Sequence, residues 1–474
     1  MFFRGFCLFF VLMALSLSFE LPNLNSETLT CNPDDLGALT GFSNCLESTI
    51  PEWNWNSTDF PGCCAWTGVT CDNSTGFNRR VVGLELGSKR LVGKICGSLA
   101  DLNQLRVLNF SNNFLGWSFP DDLFNLPNIE IIDISNNDFV GLFQLKNLSE
   151  LNLQVNNISG SLSNGIGNLS NLVKLDISFN LFSGVLPDIF TRLARLEQFS
   201  ARSNLFTGLG ANLFQGPIPN SLSSCRGLKT LNLGRNNLSS ELPNNFKNLK
   251  SLTQLSLSNT SLSSILSTLR ILQHCRNLSM LALTRNFHDE QIPNDMSLEF
   301  KNLNSLILGN CQLRGPIPEW LSRCHKLQFL DLAWNHLGGN IPSWFGKFES
   351  LFYLDLSNNS LKGEIPKGLT ELRSLISGKA TIEEPVSSFQ LYTAGQGGPS
   401  LSYRQISSFP PTIDLSYNIL QGPIWPGFGN LKRLRRTIIG PPFKIGAATG
   451  FVLTVICCFI SGWALPKPHK RNYM

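Results

Sequence analysis

One pattern constrains this chain before any other: a short apolar unit returns along most of its 474 residues. LRVLNFSNNFLG from Leu105, NLSELNLQVNNISG from Asn147, NLVKLDISFNLFSG from Asn171, GLKTLNLGRNNLSS from Gly227, KLQFLDLAWNHLGG from Lys326 and SLFYLDLSNNSLKG from Ser350 superpose as LxxLxLxxNxLxG. The central apolar position of the unit falls at Leu84, Leu108, Ile132, Leu151, Leu175, Phe199, Leu231, Leu255, Leu281, Leu306, Leu330, Leu354 and Ile413, most of them 24 residues apart. Each unit carries too little apolar surface to fold alone, so it is stabilised by stacking on its neighbours rather than around one central core.

A 24-residue leucine-rich repeat accounts for the pattern. The leucines of xLxLx alternate inward from a short parallel strand, and the residues between them line the concave face. The Asn turns the chain and hydrogen-bonds neighbouring backbone, forming a ladder from unit to unit. GxIP, as in Gly315 to Pro318 and Gly363 to Pro366, starts the convex return. The expected fold class is an α/β solenoid with a parallel β-sheet on its concave face, plus one transmembrane helix. With 15% charged and 42% hydrophobic residues, the chain is not of the disordered, highly charged kind. A net charge of +5 over this length lacks the basic concentration of a nucleic-acid binder.

Departures from the period mark places where the array does something else. Leu151 follows Ile132 by 19 residues, a shortened convex side. Leu231 follows Phe199 by 32, and Leu209 and Asn212 supply only the end of a partial repeat. Ile413 follows Leu354 by 59, or 24 plus 35, and the extra segment from about Ile376 to Pro410 is rich in Gly, Ser and Pro without the repeat pattern. It reads as an island inserted between repeats over the concave face, and long loops in ordered arrays commonly carry function. Its residues Ile382, Phe389, Leu391, Tyr392 and Tyr403 are expected to pack on the concave strands around Asp331 and Thr284.

The ends place the chain in the cell. MFFRGFCLFFVLMALSLSFE carries one cation, Arg4, then a short apolar run ending in small residues, which reads as a cleavable secretory signal. Ile445 to Leu465 is a 21-residue stretch without a charge, long enough as a helix to cross a hydrocarbon core of about 30 Å. Lys467, Lys470 and Arg471 follow it and suit a cytosolic flank, although Lys432, Arg433, Arg435, Arg436 and Lys444 on the other side weaken the charge rule. Orientation therefore rests on the signal and on ten Asn-x-Ser/Thr sequons, all between the two apolar segments: Asn56, Asn73, Asn109, Asn147, Asn157, Asn168, Asn237, Asn259, Asn277 and Asn358. The expectation is a single-pass type I protein of the plasma membrane with an extracellular ectodomain.

Cysteines sort by place. Of 13, Cys7 lies in the signal and Cys457 with Cys458 in the membrane segment. Cys31, Cys45, Cys63, Cys64 and Cys71 crowd the segment before the first repeat and read as disulfides of an N-terminal cap, with the choice between Cys63 and Cys64 open and five an odd number. Cys225, Cys275 and Cys324 occupy the slot that Leu169 holds in an ordinary repeat, so they read as small buried hydrophobes. Cys311 occupies the Asn-ladder slot and Cys96 the Pro slot of GxIP. None has zinc-site spacing. GxxxxGK[ST], HExxH, GxSxG and kinase signatures are absent from the sequence, so no catalytic residue, metal site or cofactor is assigned and the chain reads as no enzyme.

Beyond the generic repeat, CNPDDLGALTGF with CCAWTGVTCD, SLTQLSLSNTSLSSI, RILQHCRNLSMLALTRNFH, ESLFYLDLSNNSLKGEIPK and SSFPPTIDLSYNILQGPIWPGFGNLKRL resemble the plant phytosulfokine receptors from about residue 27 to residue 434. These are leucine-rich repeat receptor kinases that bind a disulfated pentapeptide. The resemblance implies a plant-type right-handed superhelix, a concave groove roofed by the island, and a co-receptor kinase of the somatic embryogenesis type. It also implies ligand contacts at Asn232, Ser256, Ser258, Thr284, Asn310 and Asp331, which fall on concave strand positions or, for Asn310, just past the strand, with an aromatic contact from Tyr392. Two basic residues of the family are missing. One belonged to a repeat this chain lacks, at Gly208 to Asn212, and the other aligns with Ala394. No kinase follows the membrane segment either, so the chain is similar to a receptor-like protein.

The expected organisation is a signal peptide over 1–20, a Cys-containing cap over 21–76, repeats over 77–375, the island over 376–411, last truncated repeats over 412–436, a juxtamembrane stretch over 437–444, a transmembrane helix over 445–465 and a cytosolic tail over 466–474. Thr437 occupies the next marker slot, where the pattern fails. The expected function is binding of an extracellular peptide, with signalling through a partner kinase or action as a decoy. The alternatives are a defence-type protein recognising a microbial ligand with an adaptor kinase, or a degenerate copy of a receptor kinase. Gly446 and Gly450 form GxxxG, a weak signal for helix pairing in the membrane.

Overall fold

The computed structural model describes residues 31–50, 53, 62–73, 78–117, 120, 122–123, 126–140, 148–202, 213–238, 241–376, 391–393, 401–403 and 409–438. The signal segment, the 445–465 apolar stretch and its cytosolic tail, most of the island with Ala394, the Gly208 to Asn212 junction, Asn56 and Asn147 lie outside the described residues. Among the described residues, no helix is long and apolar enough to cross a membrane. The chain divides into two compact units, Met1–Leu115 with Pro120–Ile129, and Gly116–Phe119 with Glu130–Met474.

The first unit is the cap and the start of the array. Its helix, Pro33–Ser43, begins where the Asn32 side chain accepts hydrogen bonds from the amides of Asp34 and Asp35, an N-cap followed by proline at a position that tolerates it. Asp35 is fully buried, and its carboxylate takes the Arg80 guanidinium at 2.8 Å and the Val81 amide at 2.7 Å. Phe42, packed against Trp53 and Phe110, fills the space beneath. The strand Val69–Cys71 runs antiparallel to Val81–Glu85, which pairs in parallel with Val107–Asn109.

Three disulfides close this unit: Cys31–Cys63, Cys45–Cys96 and Cys64–Cys71, with Cα separations of 5.3, 6.3 and 5.5 Å. All five cap cysteines are bridged, and the odd one finds its partner in Cys96. That cysteine stands in a repeat slot by periodicity, yet it faces the cap, so the cap's covalent frame extends past residue 76. The sulfurs of Cys31, Cys63 and Cys64 lie within 4.8 Å of one another. Each is spent in a disulfide and is unavailable as a thiolate ligand.

The second unit is the solenoid. Among its described residues, twelve three-residue strands form a parallel sheet from Ile131–Asp133 to Arg436–Ile438. Their central residues form one column, with Leu175 opposite Leu151 and Phe199, and Leu330 opposite Leu306 and Leu354. The register continues across the island, because Leu354 pairs with Ile413. It also continues one strand past the expected end. Thr437 pairs with Ile413 even though the apolar pattern has stopped.

Beside the strands runs the asparagine ladder. Asn335 is representative. Its Nδ2 donates to the carbonyls of Leu308, Leu332 and Ala333, and its Oδ1 accepts from the amides of Cys311 and Leu313. Asn156, Asn180, Asn286, Asn359 and Asn418 make equivalent sets. Two rungs differ. Thr260 donates from Oγ1 to the Leu257 carbonyl and, at 3.4 Å, to Asn286 Oδ1 of the next rung, and Cys311 substitutes thiol contacts to Leu283 and Gly309.

The convex returns are mostly short 3-10 turns such as Glu319–Arg323 and Ser343–Lys347. One repeat, 26 residues long, instead forms an α-helix, Ile265–Leu272. Its first amides, Ser264 and Ile265, are each held at 2.7 Å by the Glu290 carboxylate from the following repeat, so an acid sits at the positive end of the helix. Cys225, Cys275 and Cys324 are buried as their slot predicts, and burial pushes their thiols up to about 12, 11 and 12.

Candidate functional site

On a strand whose central residue points inward, the first and third residues face the concave side, and the fifth follows them. Asn232 and Ser256 are third-position partners on adjacent strands, and Asp331 lies in the same column beyond Ala282 and Ile307. Ser258 and Thr284 occupy the fifth position on neighbouring rungs. Both lie just past the regular strands, which end at Ser256 and Ala282. Asn310 comes one residue later, with a left-handed backbone at φ 56°. Five of the six polar residues expected at the groove thus share one face, and Asn310 stands in the turn beside it. Tyr392 lies in the island's short hairpin, where Leu391–Thr393 runs antiparallel to Leu401–Tyr403. Its side chain, like the packing expected of Ile382, Phe389, Leu391 and Tyr403, lies outside the described residues.

The third column also does local work. Asn232 Oδ1 accepts from the Gly234 amide, and Asp331 Oδ1 accepts from the Ala333 amide at 2.9 Å. Asp133, Asn152, Asp176, Asp355 and Asp414 make the same turn with the residue two further on. An Asx side chain here first satisfies its own backbone. Polarity at Asn232 and Asp331 is therefore not by itself a ligand signal.

What sets this part of the face apart is where that rule lapses. Ser256, Ala282 and Ile307 replace the Asx on three consecutive rungs, and Met280, Phe329 and Tyr353 stand in the first column. All six are buried. Phe329 and Tyr353 stack at 4.1 Å between centroids, nearly parallel, and Phe409 closes edge-on against both, at 4.9 and 5.5 Å. Phe409 is where the island returns to the array, so the island's C-terminal end is packed onto the concave face. Apolar residues in the x slots of LSMLAL, LNSLIL, LQFLDL and LFYLDL were the available signal.

Charge on the face is unevenly matched. Burial raises the Asp331 carboxyl well above the usual carboxylate range, and neighbouring Asp355 adds to the effect. Asp355 is itself pushed up to about 6 by burial and then by Asp414. The Asp331 carboxylate leans over Gly309, where a Cβ would come within 2.9 Å of it. On the other side of Asn232, Arg202 occupies the fifth position with its guanidinium 5.6 Å from the centre of the Phe179 ring, a cation–π distance. It is a basic residue in a slot otherwise held by small or polar side chains.

Of the sequon asparagines, Asn73, Asn157, Asn168, Asn237 and Asn277 are exposed, and Asn109, Asn259 and Asn358 are half-buried.

A family profile described as a leucine-rich repeat region matches residues 78–366, more than half of the chain. Phytosulfokine receptor 1 of Arabidopsis thaliana is 54% identical over 171 residues, which is 36% of this chain and 17% of that protein. Phytosulfokine receptor 2 of the same plant is 52% identical over 170 residues, 35% of this chain and 16% of that protein. The matches thus span about a sixth of those receptors' length. Among solved structures, a crystal structure of PEPR1-AtPEP1 superposes with a TM-score of 0.63 at 25% identity, covering 85% of this chain and 54% of that one.

Proposed function

Since the chain belongs to the leucine-rich repeat family, we propose that it is a cell-surface receptor-like protein whose concave face binds an extended peptide. The peptide lies along the rungs from Asn232 to Asp355, against the strip of Met280, Ala282, Ile307 and Phe329 and beneath the island. Asn232, Ser256, Ser258, Thr284 and Asn310 supply its hydrogen bonds. The observation that carries this reading is the lapse of the Asx rule over adjacent rungs at the place where Phe409 brings the island back. These apolar side chains are buried, with Phe329 and Tyr353 packed beneath Phe409, so they form the floor on which the island is seated and leave the polar residues beside them to meet a ligand.

The similarity to phytosulfokine receptors makes a tyrosine-sulfated peptide the first ligand to test. An acidic Asp331–Asp355 neighbourhood disfavours a sulfate there. The protein performs no bond chemistry of its own. It is anchored by the 445–465 segment with its repeats outside the cell, and it signals through a partner kinase, with a somatic-embryogenesis-type co-receptor docking beside the ligand, or competes with full receptors as a decoy.

Calorimetric titration of the purified ectodomain with sulfated and unsulfated forms of one peptide tests this. Weak binding that favours the sulfated form and improves in Ala394→Lys is expected, with a loss of about tenfold or more in Ile307→Glu, equivalent to roughly 1.4 kcal/mol. No binding of either form, or equal affinity in Ile307→Glu, overturns the reading.

A further inference from the structure

The turn after most ladder residues takes a left-handed backbone, and glycine supplies it at Gly160, Gly184, Gly339, Gly363 and Gly422, with φ from 77 to 92°, while Ser264 adopts it at φ 61°. In the repeat that begins the second unit the slot is filled by Trp117, at φ 72° and 70% exposed. The largest side chain thus stands where a Cβ is unfavourable, and its ring is left in solvent. A backbone outlier with an exposed aromatic points to a contact outside the fold.

Its neighbours indicate what makes the contact. Trp117 pairs with Phe139 and Gly116 with Asp138 on the side sheet, and the Trp117 carbonyl accepts from the Val140 amide at 3.1 Å. Val140 is 45% exposed. On the next row the Asn157 amide donates to the Phe139 carbonyl at 3.0 Å, which sets Asn157 beside Val140. Asn157 is exposed and opens the sequon Asn157-Ile158-Ser159. Its Nδ2, the atom that carries an N-linked sugar, points at Asp138 Oδ1, 3.5 Å away. It therefore faces the Val140 and Trp117 rows rather than open solvent.

We propose that Asn157 is glycosylated and that the first two N-acetylglucosamine units of its glycan lie over Val140 against the Trp117 indole, with Asp138 accepting a sugar N–H or O–H. Two strand rows, at about 4.8 Å each, separate Asn157 from Trp117, a span that a disaccharide core bridges. The apolar C–H face of such a sugar suits an indole ring, and the carboxylate satisfies its polar edge. This inference rests on the secretory reading above.

The test uses the full chain expressed in plant cells. Glycopeptide mass spectrometry should find Asn157 occupied. Ser159→Ala, which removes the sequon but keeps Asn157, should lower the melting temperature by about 2 °C in the Trp117 protein. The same change should leave Trp117→Gly unaffected, and that variant is safe for folding because it restores the residue other repeats use. Enzymatic trimming to a single N-acetylglucosamine should keep part of the effect. An empty Asn157 beside other occupied sequons overturns the proposal, as do equal shifts in both backgrounds. If every sequon is empty, the proposal fails together with the secretory reading, and the two failures are distinguishable.

Discussion

Replacing Asn335 by alanine removes one complete rung of the ladder. Asn335 is 4% exposed, and Leu308, Leu332, Ala333, Cys311 and Leu313, whose backbone groups it serves, are buried. Truncation withdraws donors from three carbonyls and an acceptor from two amides. Carbonyls tolerate a missing partner better than amides do. Counting chiefly the two amides, at about 1–3 kcal/mol for each buried orphan, the loss comes to roughly 3–5 kcal/mol with a small cavity added. Asn335→Thr imitates the natural Thr260 rung and should retain the donation to Leu332, losing about half as much. Asn335→Asp keeps an acceptor for the amides but turns its other oxygen toward carbonyls, so it should be no better than alanine. The assay is urea unfolding followed by tryptophan fluorescence, with hydrogen exchange at Cys311 and Leu313 locating the damage. A loss below about 1 kcal/mol for Asn335→Ala, or unchanged exchange at those amides, would refute the ladder account.

Further outcomes follow from other parts of the molecule. Asp355 has a folded pKa of about 6, above its ordinary value of 3.8, so the folded chain holds more protons than the unfolded one between these values. Stability should then fall as pH rises from about 4 to 6, by at most about 3 kcal/mol because the side chain keeps some water contact, and stay level above. Asp355→Asn should flatten that slope in denaturation curves taken across this pH range. The pair Cys45→Ser with Cys96→Ser opens a loop of 51 residues and should cost about 2–4 kcal/mol by denaturant midpoint, whereas an unchanged midpoint would mean the bridge is dispensable. Phe409→Ala should cost about 3 kcal/mol locally, read as faster hydrogen exchange at Tyr353 with Leu175 unaffected.

The column of Leu175, Leu330 and Ile413 was legible in the sequence because a parallel strand needs its inward residue at a fixed interval, and the island only lengthens one interval. Cys96 was not, since its slot suggested a repeat residue while its partner lies in the cap, and periodicity says nothing about contacts outside the period. The groove was half legible. Asn232 and Asp331 stand in the third column of their strands, yet the reason for an Asx there is partly the amide two residues on, a local need that mimics recognition. Ser258 and Thr284 stand just beyond the strands because the strands are only three residues long. The Met280 to Phe329 strip stands in the sequence as apolar letters in the x slots, which the repeat pattern itself leaves unconstrained. Trp117 was hidden, since a positive φ is visible only once glycine is seen in the matching slots.

Glu290 holds the first amides of a helix that belongs to the preceding repeat. Most units here would tolerate an exchange of neighbours, because leucines and asparagines meet the same partners whichever neighbour arrives. A crossover between Ser264 and Glu290 would not be neutral. It would leave Ile265–Leu272 without its acid, or bring an acid to a neighbour that has no helix to receive it. Residues 255–306 therefore form a single structural block, and chimeras or repeat insertions made in this protein should join on either side of it.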